Sequence, residues 1–91
     1  MESVNFMDEK AFIERCRELV EEYAIIHLDK SDHEVTFDVF VVWQVKVLQN
    51  NKALLSTTIS DGMYYEITYN GDKDELYFDA YKKFENKCIP F

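Results

Sequence analysis

The chain has 91 residues, with 10 Lys and Arg against 18 Asp and Glu, and a formal net charge of −8. At 47% hydrophobic and 15% aromatic residues the composition is that of a globular protein, and this length suits one domain, 1–91, burying roughly 60–65% of its unfolded surface. The acidic balance disfavours direct contact with nucleic-acid phosphates or anionic lipid, since both need clustered Lys and Arg.

The opening Met1-Glu2-Ser3 carries no basic residue and no apolar core follows it, so no secretory signal is expected. The longest apolar run, Val39-Phe40-Val41-Val42-Trp43, is far too short to span a bilayer. A cytoplasmic location follows as the expectation.

From Phe12 onward, Phe12, Cys16, Leu19, Val20, Tyr23, Ala24 and His27 step by three and four, while Glu14, Glu18 and Glu21 fall on the opposite side. That spacing predicts an amphipathic helix over about Glu9–Leu28. Asp8 suits the N-cap, and Met7 with Phe12 suits a hydrophobic staple. The polar run Asp29-Lys30-Ser31-Asp32-His33-Glu34 ends it.

The middle of the chain reads as a three-stranded meander. Asn50-Asn51 and Asp61-Gly62 both suit two-residue hairpin loops, where left-handed backbone is required. That register gathers Trp43, Val45, Val47, Leu54, Ser56, Thr58, Met63, Tyr65, Ile67 and Tyr69 on one uncharged face. Gln44, Lys46, Leu55, Thr57, Ile59, Tyr64 and Glu66 fall on the other.

After Asn70-Gly71, Asp72 precedes Glu75 at capping-box spacing, and Tyr77, Ala80, Tyr81, Phe84 and Cys88 repeat at helical intervals. A second helix is expected over about Lys73–Lys87, ended by Pro90. The expected fold is therefore α+β in the order α-β-β-β-α, with the N- and C-terminal helices on one face of a three-stranded antiparallel sheet.

Little in the sequence speaks for catalysis. His27 lies on the apolar side of the first helix, where a satisfied boundary histidine is expected, and His33 lies in an acidic loop. Asp29, Asp32, His33 and Glu34 lack EF-hand spacing and the glycine that such a loop needs, so no metal site is assigned. The two glycines, Gly62 and Gly71, are both explained by turns, leaving no phosphate-cradling loop, and no cofactor is expected. Cys16 and Cys88 have no metal-ligand spacing. They read as reduced thiols, or as a bridge if the two expected helices lie side by side. The α-β-β-β-α order is also that of double-stranded RNA-binding domains, but Asp72, Asp74, Glu75 and Asp79 would crowd the second helix where phosphates should bind.

Two surface features bear on interaction with a protein, the first of which reads equally as ordinary exposed strand residues or as a dimer or partner surface. Phe40, Val42, Ile59 and Tyr64 are expected to cluster on the outer sheet face, and the apolar first strand is expected to form a sheet edge, a place where self-association occurs. The second feature is the acidic surface: Glu14, Glu18 and Glu21 on one element, with Asp72, Asp74, Glu75 and Asp79 on the other. These carboxylates either keep a small domain soluble or imitate the charge of nucleic acid toward a basic protein.

The stretches Val41-Val42-Trp43 and Leu48 through Thr58, together with Asp61 through Lys73 and the closing Asp79-Ala80-Tyr81-Lys82-Lys83-Phe84-Glu85-Asn86, resemble a family of short proteins encoded by phages and prophages of Gram-positive bacteria. That family has no assigned activity or functional residues, so the resemblance implies a setting only: an accessory role in an infected or lysogenic bacterium. The expected function is accordingly non-enzymatic, through contact with an unidentified protein or a second copy. An acidic mimic that blocks a basic nucleic-acid-binding protein is the alternative.

Overall fold

In a computed structural model, residues 8–27 and 36–90 are described. They form one helix, α1 (Glu9–His27), followed by strands β1 (Val39–Val47), β2 (Asn50–Thr57), β3 (Met63–Asn70) and β4 (Glu75–Lys82). The strands make one antiparallel sheet in the order β1-β2-β3-β4. The α+β class agrees with the sequence reading. The strand count does not, because four strands stand where three and a second helix were expected.

The first helix starts as its sequence dictates. Asp8 Oδ1 accepts from the Ala11 amide at 2.8 Å, satisfying an amide that has no partner inside the helix. Phe12, Cys16, Val20 and Ala24 repeat every four residues and are buried against the sheet. Met7, the other half of the expected staple, lies outside the described residues, as do Asp29, Asp32 and His33.

The expected second helix, Lys73–Lys87, is instead β4 and an extended segment over residues 83–90. Its sequence carries two periods at once. Tyr77, Tyr81, Phe84 and Cys88 step like a helix, but Leu76, Phe78 and Ala80 alternate with Glu75, Tyr77, Asp79 and Tyr81 like a strand. The strand period wins because β3 has a free edge to pair, and Leu76 and Phe78 then pack against the core. The apparent capping box is turn chemistry. Asn70 Oδ1 accepts from the amides of Asp72 and Lys73, and Asp74 takes a left-handed φ of 53° while its Oδ1 accepts from the Tyr69 hydroxyl at 2.7 Å.

Both expected turns lie elsewhere. The first is Leu48-Gln49, closed by the Val47–Asn50 pair, with Leu48 at φ 57°. It sits two residues before Asn50-Asn51, which leaves Trp43, Val45, Val47 and Leu54 sharing a face as expected. The second turn is not Asp61-Gly62 alone but a five-residue connection, 58–62, between β2 and β3. Thr57 Oγ1 accepts from the Ile59 amide, Asp61 Oδ1 accepts from the Met63 amide, and the Thr58 amide donates to the Asp38 carbonyl. Pairing is thereby Leu55 with Tyr65 and Ala53 with Ile67, in place of Ser56 with Ile67.

That odd shift reverses β1 and β2 relative to β3, since alternate residues face opposite sides. Trp43, at 42% exposure, and Ile67, at 0%, therefore lie on opposite faces rather than together. Ala53, Leu55, Tyr65, Ile67 and Tyr69 form the dry face, and α1 covers it with Phe12, Cys16 and Val20. A bulge at Val42 lets β1 change sides as well: Val39 and Val41 pack inward before it, whereas Trp43, Val45 and Val47 are exposed after it.

Candidate interaction surface

α1 covers one side of the sheet. Among the described residues no element covers the other side, which we call the outer face, and the molecule measures 51 × 43 × 18 Å along its principal axes. The cross-strand pairs define what this face presents. Trp43 is level with Leu54, Glu66 and Asp79; Val45 with Lys52, Thr68 and Tyr77; Phe40 with Ser56, Tyr64 and Tyr81. Phe40, Val42, Trp43, Val45 and Val47 are each between 42% and 59% exposed, an unusually apolar row for a sheet edge.

The face is chemically lopsided. Apolar side chains concentrate on β1 and on Leu54 of β2, whereas β3 and β4 carry tyrosines beside carboxylates. Tyr77 donates its hydroxyl to Glu75 Oε1 at 2.5 Å, and Tyr81 donates to Glu66 Oε1 at 3.4 Å. Hydrogen bonding to Glu75 raises the Tyr77 pKa, and the charge of Asp79 raises that of Tyr81. Lys52 Nζ lies 3.5 Å from Glu66 Oε2 at the centre of the face, the lysine about half exposed and the glutamate mostly covered.

Of the sequence-derived contact residues, Phe40 and Tyr64 stand in one cross-strand row, two strands apart with Ser56 between them. Val42 sits at the adjoining bulge. Ile59 is not on the sheet but in the 58–62 connection. Trp43, Val45 and Tyr77 were missed, the first two because the wrong second turn turned them inward and the third because β4 was read as a helix.

The acidic residues do not form one array. Glu14, Glu18 and Glu21 lie on the side of α1 away from Phe12, Cys16 and Val20, facing out from the helix layer. Glu75 and Asp79 lie on the outer face, across the thickness of the sheet, and Asp72 and Asp74 occupy the β3–β4 turn.

The edge of β1 is partly closed. Arg17 reaches from α1 and donates from Nη1 to the Val39 carbonyl at 2.6 Å. With the bulge at Val42, this removes the N-terminal half of β1 as a template for another strand.

His27 does not enter a buried cleft. It is exposed at the end of α1, stacked on Tyr23 at 4.1 Å, and its Nδ1 donates to the Tyr23 carbonyl at 2.9 Å. It borders a half-open recess of about 240 Å³ that Asp61, Tyr65 and Lys82 also line. Cys16 is buried and unpaired, and desolvation pushes its thiol up to about 12. Cys88 is exposed and unpaired in the segment after β4, and the second helix that would have brought it beside Cys16 on α1 is instead β4 and an extended segment. No group of three or more His, Cys, Asp or Glu among the described residues is placed to hold a metal ion, and no described helix is long and apolar enough to cross a membrane.

In a comparison with known families the chain matches a family of unknown function, DUF6275, over residues 13–91. The chain belongs to DUF6275. The match begins within the first turns of α1 and runs through β4, so the uncovered sheet face lies wholly inside the DUF6275 region. No curated protein and no solved structure matches the chain.

Proposed function

We propose that this DUF6275 chain is a non-enzymatic accessory protein of phage or prophage origin, working in the bacterial cytoplasm by protein–protein contact through the outer face of its sheet. The observation that carries the reading is the one-sided cover: α1 packs on one face over β1, β2 and β3 and reaches β4 through Tyr23 on Phe78, while Phe40, Trp43, Val45 and Val47 stand exposed on the other face. A half-sandwich of this kind leaves apolar area open that another surface can bury. The likeness of its β-strand segments to short phage and prophage proteins supports the setting. Nucleic-acid mimicry is less well supported, because the carboxylates it would use point from opposite sides of the molecule.

The test compares the unmodified chain with Val45→Glu as bait in a bacterial lysate, alongside sedimentation of both. Val45 is about half exposed, so the substitution leaves the fold intact, which circular dichroism verifies. The expected outcome is a partner, or a second copy, held by the unmodified chain and lost from Val45→Glu. Equal capture by both baits would place the contact elsewhere and overturn the reading.

A further inference from the structure

The division of the outer face into an apolar half and an anionic half says more about what covers it. Three carboxylates, Glu66, Glu75 and Asp79, stand on β3 and β4. Glu66 and Asp79 are directly opposite each other, an arrangement that costs energy in an isolated sheet and is relieved by a cation placed between them. Lys52 serves Glu66 from the far side, at 3.5 Å, and does not come from the β4 side. Each acid also lies beside a phenol ring, the combination that receives guanidinium and ammonium groups by charge and by ring stacking. The chain itself shows the tendency: Lys83 Nζ lies 5.8 Å from the centroid of the Tyr64 ring, next to this half of the face.

A second copy fits this surface poorly. Face-to-face pairing over the whole of both faces about a two-fold axis either lays β4 on β4, setting Glu75 and Asp79 against their own images, or lays β4 on β1, burying those carboxylates against Trp43 and Val45. Both arrangements desolvate charge without a partner, and each copy carries a net −8.

We infer that the outer face receives an amphipathic α-helix of a partner protein, with its apolar stripe on β1 and β2 and an arginine- or lysine-bearing flank on β3 and β4. The inference rests on the contact reading above and names the chemistry of the partner. The dimensions agree. Strands of eight residues run about 26 Å, the length of a helix of about 17 residues, and a helix about 10 Å wide covers two of the three strand spacings, the third being within reach of its long arginine or lysine side chains. On such a helix the apolar stripe and the basic flank lie side by side, as the two halves of the sheet do. The opposite face of the same sheet already accepts a 19-residue helix, α1.

The test is titration of the full chain with a synthetic helical peptide of about 17 residues, leucines in one stripe and arginines along one flank. A second peptide has glutamates replacing the arginines. Trp43, the sole tryptophan and 42% exposed on this face, reports docking by a fluorescence shift. The expected result is saturable binding of the arginine peptide, none of the glutamate peptide, and roughly tenfold weaker binding to the double variant Glu75→Gln, Asp79→Asn at low salt. Equal binding of both peptides, or no loss in the double variant, would overturn the inference. A stable dimer that Val45→Glu splits would also overturn it in favour of a second copy, while leaving the contact reading in place. If Val45→Glu changes neither peptide binding nor association, both readings fall.

Discussion

The register of β2 is the feature on which the surface argument turns, and adjacent leucines test it. Leu55 is fully buried under α1, whereas Leu54 is half-buried on the outer face beside Trp43. Leu55→Ala removes three buried carbons, about 2.4 kcal/mol at about 0.8 kcal/mol each. The cavity left under the helix brings the loss to about 3–4 kcal/mol, within the range seen for buried Leu→Ala changes. Leu54→Ala removes the same atoms from a site open to solvent, where no closed cavity forms and the cost is about 1 kcal/mol. A chain of this size has a total stability of about 5–14 kcal/mol, so the first change is severe and the second mild. Urea unfolding followed by circular dichroism separates them, because with a slope near 1 kcal/mol/M the Leu55→Ala midpoint falls by about 3 M. Equal losses, or a larger loss at Leu54, would mean that the short Asp61-Gly62 turn and its register are correct after all, and the outer face described here would not exist.

Two further tests probe the turns and the buried thiol. A Cβ on Gly71 would come within 2.2 Å of the Gln49 carbonyl oxygen, so Gly71→Ala must separate the two neighbouring hairpin turns and is expected to cost about 1–3 kcal/mol; Leu48→Gly, relieving a left-handed leucine, is expected to add about 1 kcal/mol, and thermal melts distinguish the opposite signs. Cys16, raised from 9.0 to about 12, binds its proton more tightly folded than unfolded, so its contribution is intact below about pH 9 and is lost as pH rises toward 12. Stability profiles over that window should fall less steeply for Cys16→Ala than for the unmodified chain, and at pH 8 an alkylating reagent should label Cys88 at once but Cys16 only on unfolding.

The start and buried side of α1 were legible, since a cap at Asp8 and four inward residues at fixed spacing are local signals that packing then confirms. The inward face of β3 was legible too: Tyr65, Ile67 and Tyr69 are buried as their alternation requires. The outer face was half legible. Phe40 and Tyr64 were found on the outer face, but Trp43 and Val45 were assigned to the core.

What the amino-acid order decided alone is therefore the existence and amphipathicity of each segment, the acidity of the chain, and the pairing of Trp43, Val45 and Leu54 on a common face. Tertiary structure decided which face is dry and whether residues 75–82 coil or extend. Alternation has two solutions of opposite sense, and only the length of the 58–62 connection selects between them. Likewise, a segment that is apolar at both periods takes whichever form buries it, and the unpaired edge of β3 supplied that burial for Leu76 and Phe78.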